Sequence, residues 1–208
     1  VLTADVNLLQ ISLYYRNYYA NNQNSKYPYF IVGAMSDPAD KTTFVASDTL
    51  PQKTSWAQAK VYLSDMPDTH KYIAIKYAGG TLNTYGYIDD ITVNYLPACV
   101  PAKNIHIGET TTTSAEIAWK AGKDETDWIV KYVAVGETDT VTSNVSGTPS
   151  LTISGLKHST SYSYFVTVQS NCGSEKAEVT KATLSFATEC AVFTAVRDSI
   201  LLDFETYR

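Results

Sequence analysis

The sequence predicts an all-β chain, and three observations carry that prediction. Apolar residues recur with a period of two between Gly, Pro, Asn and Asp punctuation, whereas helical i, i+3, i+4 spacing is nearly absent. Sixteen tyrosines stand against two methionines in a chain rich in Thr and Ser, a bias that suits pleated surfaces. A length of 208 residues exceeds the ~100–150 of an ordinary domain, so one large or two ordinary β units are expected.

Taken in order, Leu9, Ile11, Leu13 and Tyr15 share one face of the first strand. The apolar run 29–32 predicts a strand covered on both faces, and the Asp-Pro stretch at 36–40 turns the chain. Strands are then expected at 43–46, 57–63, 72–77 and 87–95, ending at Leu96-Pro97, where the first unit, residues 1–98, closes. From Cys99 the alternation resumes through 105–107, 115–119, 128–134, 151–153, 162–168 and 177–186. Short strands at this spacing over about ninety residues predict an immunoglobulin-like sandwich for residues 99–189.

Composition excludes several function classes. Hydrophobic residues at 44% against 18% charged exclude a disordered chain, and no apolar run approaches the ~20 residues of a membrane span, so no membrane insertion is expected. A net charge of -5 with scattered Lys and Arg argues against nucleic acid as a partner. No HExxH, GxSxG, P-loop or Gly-rich dinucleotide turn surrounds the three histidines, and no catalytic residues are expected. No charged-then-apolar leader opens the chain, so any export signal is expected to lie outside it or to have been removed. Three cysteines, Cys99, Cys172 and Cys190, make an odd count: one thiol is left over in an oxidising compartment, or all three are buried as small hydrophobes in a reducing one.

Particular residues point to families. Trp119 on the second strand of the later unit, Tyr132 on the third, and Gly155-Leu156-Lys157-His158-Ser159-Thr160-Ser161-Tyr162 before the sixth resemble a fibronectin type III domain. That resemblance implies that Trp119 and Leu156 fill the core and that Tyr162 forms a corner by bonding back to backbone. In the earlier unit, Val32-Gly33-Ala34-Met35-Ser36-Asp37-Pro38, Thr43-Phe44-Val45, Ile73-Ala74 and Tyr87-Ile88-Asp89-Asp90-Ile91-Thr92-Val93 resemble the jelly-roll modules of secreted Bacteroidota proteins, the cleaved-adhesin and MAM-like domains. Such modules open on a Phe-Glu strand that has no counterpart before Val1, so a partial jelly roll is expected. Leu202-Asp203-Phe204-Glu205-Thr206 resembles that opening, which makes residues 190–208 the expected start of a following module in an alternating array.

The candidate sites follow from these patterns. Alternation places Asp89 on the face of Tyr87, Ile91 and Val93, where a carboxylate needs a partner; the resemblance implies a structural calcium held by Asp89 or Asp90, and the alternative is an Asp at a bulge bonded to backbone amides. Tyr18 and Tyr19, followed by Asn21, Asn22 and Asn24, are the expected exposed ligand-binding residues, whether for host or surface glycans or for proteins; the alternative is strand-face tyrosines chosen for β propensity, half-buried with a wet hydroxyl. Thr49, Thr140 and Ser199 lie in Asp-Ser/Thr-aliphatic tripeptides of the kind that exported Bacteroidota proteins glycosylate, and Asn144 opens an N-glycan sequon. The fibronectin topology implies a Cys99–Cys172 disulfide, because both lie at the pole where the chain enters, and leaves Cys190 free or paired within the following module. The implied function is a non-catalytic structural and adhesive segment of a multi-module extracellular or cell-surface protein, partnered by neighbouring modules. An accessory carbohydrate-binding region of a secreted glycan-degrading enzyme or peptidase is the alternative.

Overall fold

The computed structural model describes residues 4–19, 28–79 and 84–191, with backbone alone for Tyr19. Its first strands are β1 (Leu9–Tyr19), β2 (Pro28–Met35), β3 (Val45–Thr49), β4 (Ala57–Tyr62), β5 (Tyr72–Gly79) and β6 (Thr84–Tyr95). They form two antiparallel sheets, ordered β4-β1-β6 and β3-β2-β5. The predicted inward face of β1 is buried from Leu9 through Tyr15 and continues to Asn17, whose carboxamide oxygen accepts from the Lys53 amide at 3.0 Å. Against it pack Phe30, Val32 and Ala34 of β2, with Leu50, Val61 and Leu63 closing the core. Tyr15 donates its hydroxyl to the Pro51 carbonyl at 2.7 Å, which satisfies the one polar atom of a buried ring.

Two expectations need correction here. Strand β2 is fully covered on one face and partly on the other: Phe30, Val32 and Ala34 are buried, while on the other face Gly33 is buried but Tyr29, Ile31 and Met35 are half-buried. The strand expected at 43–46 starts late, because the Asp40 carboxylate accepts from both the amide (2.9 Å) and the hydroxyl (2.7 Å) of Thr42 and caps a 3-10 turn over Lys41–Thr43.

The later strands are β7 (Lys103–Thr110), β8 (Ser114–Lys120), β9 (Asp127–Ala134), β10 (Val141–Ser146), β11 (Ser150–Ser154), β12 (Ser161–Cys172), the two-residue β13 (Glu175–Lys176) and β14 (Thr180–Ala187). A sheet ordered β11-β8-β7 faces one in which β9 and β14 flank β12, with β10 outside β9. Trp119 and Trp128 meet edge to face across the interior, ring centres 5.5 Å apart, amid Ile117, Val130, Val166 and Val168. Leu156 is buried, and the half-buried Tyr162 hydroxyl accepts from the Lys157 amide at 2.8 Å, closing the expected corner. Strand β10 escaped the sequence reading because it is an edge strand of small polar residues with little apolar alternation.

Cys99 and Cys172 are joined by a disulfide, with Cα atoms 5.8 Å apart and 73 residues of separation. Cys190 is free and exposed. Removing the bridge by paired Cys99→Ala and Cys172→Ala substitution is expected to lower unfolding stability by about 2–4 kcal/mol. Cys190→Ala should change it by less than about 0.5 kcal/mol. Ile117→Ala, which empties a fully buried site, should cost about 2–5 kcal/mol. Equilibrium urea unfolding followed by the emission of Trp119 and Trp128 measures all three.

Candidate functional site

Because Leu9, Ile11, Leu13 and Tyr15 turn inward, Tyr14, Arg16 and Tyr18 turn outward on the same strand. The ladder sets their neighbours. Tyr14 lies opposite Gln58 of β4 and Asp89 of β6, Arg16 lies opposite Tyr87, and Tyr18 lies opposite Tyr85. Trp56 immediately precedes β4, beside Arg16. The Arg16 guanidinium carbon sits 5.1 Å from the centre of the Trp56 ring and 4.7 Å from that of Tyr87, a cation clasped between two aromatic faces. One row along, the Tyr18 and Tyr85 rings lie 6.5 Å apart, tilted by 33°. All five of these rings, with Tyr14, are at least 40% exposed. Contiguous exposed aromatic surface of this kind is a candidate interaction site.

The inward placement of Asp89 is overturned. Ser12 pairs with Thr92 but Tyr14 pairs with Asp89, so Asp90 and Ile91 together oppose Leu13 in a β-bulge. Asp90 takes a positive φ of 49°, and its amide donates to the Asp89 carboxylate at 2.9 Å. The extra residue inverts the parity: Tyr85, Tyr87 and Asp89 face outward, while Gly86 and Ile88 face the core. A Cβ on Gly86 would collide with the Phe30 and Tyr77 rings, so glycine is what lets the strand lie this close. Beyond the bulge Ile91, Val93 and Tyr95 take the inward positions, yet remain 54%, 41% and 69% exposed because no described strand covers that edge. Asp89 and Asp90 are both exposed, and among the described residues no three His, Cys, Asp or Glu groups gather as metal ligands.

Of the other expected residues, Tyr18 belongs to the aromatic face, and Tyr19 is placed as backbone opposite Thr84. Asn21, Asn22, Asn24 and Ser199 lie outside the described residues. Thr49, at the end of β3, and Thr140, in the loop before β10, are exposed, as is Asn144. Arg16, Trp56 and Tyr87 were missed. Alternation along 9–18 gives the outward parity of Arg16, but only strand register brings Trp56 and Tyr87 to its sides.

A second feature lies where the two sandwiches meet. Residues 99–102 of the connection are buried, and the Val100 amide donates to the Glu125 carboxylate at 2.7 Å. Asp65 accepts from Lys103 at 3.0 Å and from the Ser47 hydroxyl at 2.9 Å, with Lys120 at 3.6 Å. Lys103 also donates to the Tyr62 carbonyl, Lys60 pairs with Glu178, and Ser64 donates to the Gly122 carbonyl. Ser47, Lys60, Tyr62, Asp65, Lys103 and Glu178 line a groove of about 780 Å³. Burial alone would raise the Asp65 carboxyl, but the Lys103 charge and the hydrogen bonds from Lys103 and Ser47 outweigh it and hold it below the usual carboxylate range.

Residues 100–183 match the family model of the fibronectin type III domain. Solved structures similar to the chain include the fibronectin type III domain of human collagen alpha-1(XX), at 18% identity over 49% of this chain and 96% of that one, TM-score 0.40. The FN5 domain of Drosophila Lar is similar at 13% identity over 45% of this chain and 100% of that one, TM-score 0.35. Among curated proteins none is similar enough in sequence to count as a relative.

The Asp65 contacts carry a pH signature. A carboxyl held below its unfolded value contributes stability that is present above about pH 4 and lost as pH falls through the folded value. Asp65→Asn should therefore cost about 1–3 kcal/mol at pH 7, and its stability curve should converge with that of the native protein on acidification below about pH 4. Melting temperatures between pH 2.5 and 7 test this; parallel curves over that range would contradict it.

Proposed function

We propose that the chain is a non-catalytic structural and adhesive segment of a multi-module protein exported to a bacterial cell surface. The second sandwich spaces and the first offers a contact face. The observation that carries this reading is the uncovered aromatic face around Arg16, mounted on a sandwich that a buried connection and the Asp65 contacts tie to its neighbour. Fibronectin type III domains are typically non-catalytic modules, which supports the spacing role of residues 100–183. The Cys99–Cys172 bridge supports export, since such bonds persist in oxidising compartments. Exposure of Thr49 and Thr140 supports their modification by O-glycans. The same aromatic face also favours the second reading, an accessory carbohydrate-binding region of a secreted glycan-degrading enzyme or peptidase. Neither reading needs calcium.

Brief protease treatment of intact cells that make the protein, followed by peptide mapping without reduction, tests the export and surface parts. The expected result is release of a disulfide-linked Cys99–Cys172 peptide pair, with hexose-bearing peptides at Thr49 or Thr140. Recovery of the protein only after lysis, with both cysteines alkylated as free thiols, would overturn them.

A further inference from the structure

We propose that the outer face of the sheet β4-β1-β6 binds a neutral, hydroxyl-rich oligosaccharide laid flat across Trp56, Tyr87, Tyr85 and Tyr18. The proposal names the ligand class for the contact face above and rests on that reading.

Three properties of the face select this ligand. The first is shape. Strands about 4.8 Å apart put Trp56, Arg16 and Tyr87 in a row about 10 Å wide, and the Tyr18–Tyr85 row lies about 7 Å along the strands, so the rings make a shallow platform. A platform suits a chain of rings with apolar C–H faces better than it suits a side chain seeking a pocket, and Tyr and Trp present such area at low entropic cost.

The second is hydrogen bonding. Sugar hydroxyls both donate and accept, and the face offers groups of both kinds, among them Arg16, Asp89 and the exposed Gln58 carboxamide opposite Tyr14. Arg16 makes no ion pair with any carboxylate of the described residues, which leaves its guanidinium to donate to a ligand. Asp89, one row from Tyr87, is an exposed acceptor whose amide contact occupies only one of its oxygens.

The third is charge. Arg16 and Asp89 are opposite in charge, Lys60 on the same face is already paired with Glu178, and Asp90 adds a further exposed carboxylate beside Asp89, so an acidic polysaccharide gains nothing at Arg16 that it does not lose at these carboxylates. A neutral ligand is not penalised in this way.

Trp56 makes the test direct, because it is 45% exposed while Trp119 and Trp128 are 4% and 2% exposed, so a surface event alters the emission of Trp56 alone. The whole chain is titrated with neutral cello-, chito-, manno- and xylo-oligosaccharides, and with polygalacturonate and heparin. The expected result is a blue shift of Trp56 emission and protection from acrylamide quenching by at least one neutral series. Tyr87→Ala and, separately, Tyr18→Ala are expected to weaken that binding at least tenfold while leaving the melting temperature within 2 °C, both rings being surface-exposed. Binding that persists unchanged in both variants would overturn the proposal, as would a response to polyanions alone. So would a shift that follows protein concentration without sugar, which would mean that a second copy covers the face. Retention on protein-coated surfaces with no response to any sugar would overturn the glycan assignment and leave adhesion standing.

Discussion

Which rings reach solvent on the first sandwich is decided at one backbone position, because side chains alternate along a strand and a single extra residue exchanges its faces. Asp90 is that residue. Its left-handed φ of 49° is one that Asp tolerates better than most side chains, and the Asp89 carboxylate holds its amide. Without the bulge, Tyr85 and Tyr87 would turn onto Phe30, Arg16 would lose one of its two aromatic walls, and Ile88 would face water. The resemblance that drew attention to Asp89 and Asp90 thus pointed at a decisive place for a different physical reason: the pair sets strand parity.

The two sandwiches depend on each other through a carboxylate. Asp65 sits on the first, and its cationic partners Lys103 and Lys120 both come from the second. Taking a carboxylate out of water is costly unless it is paired and hydrogen-bonded. Lys103 and Lys120 of the second sandwich offset the cost of holding Asp65 ionised at this half-buried site. A single proton at Asp65 weakens two inter-sandwich contacts together, which makes this contact an electrostatic one superimposed on the buried connection at 99–102.

Sequence alone conveyed what depends on local periodicity. The inward face of β1 follows from alternation, while the Trp119 core, the Tyr162 corner and the Cys99–Cys172 bridge follow from the fibronectin type III resemblance. Features set by register were hidden. Asp90 looks like any strand residue until its partner Leu13 is known to oppose two positions, and Trp56 stands forty residues from Arg16 in sequence. Strand β10 was hidden because an edge strand with one wet face need not advertise itself with apolar residues. A calcium ligand set is hidden in sequence for a related reason, since such sets are assembled by tertiary placement and a pair of adjacent carboxylates is only a fragment of one.

The disulfide has a mechanical consequence. Tension applied at the two ends of the chain reaches the second sandwich at Cys99, crosses the sulfur bridge to Cys172, and leaves through β13 and β14, each of which pairs with β12. The 73 residues of separation between the cysteines are bypassed, and with them strands β7 through β12 and the Trp119–Trp128 contact. Roughly 250 Å of contour length, at about 3.4 Å per extended residue, cannot be paid out while the bond is oxidised. Under load such a module yields only its last strands. Reduction would turn a nearly inextensible link into a long tether.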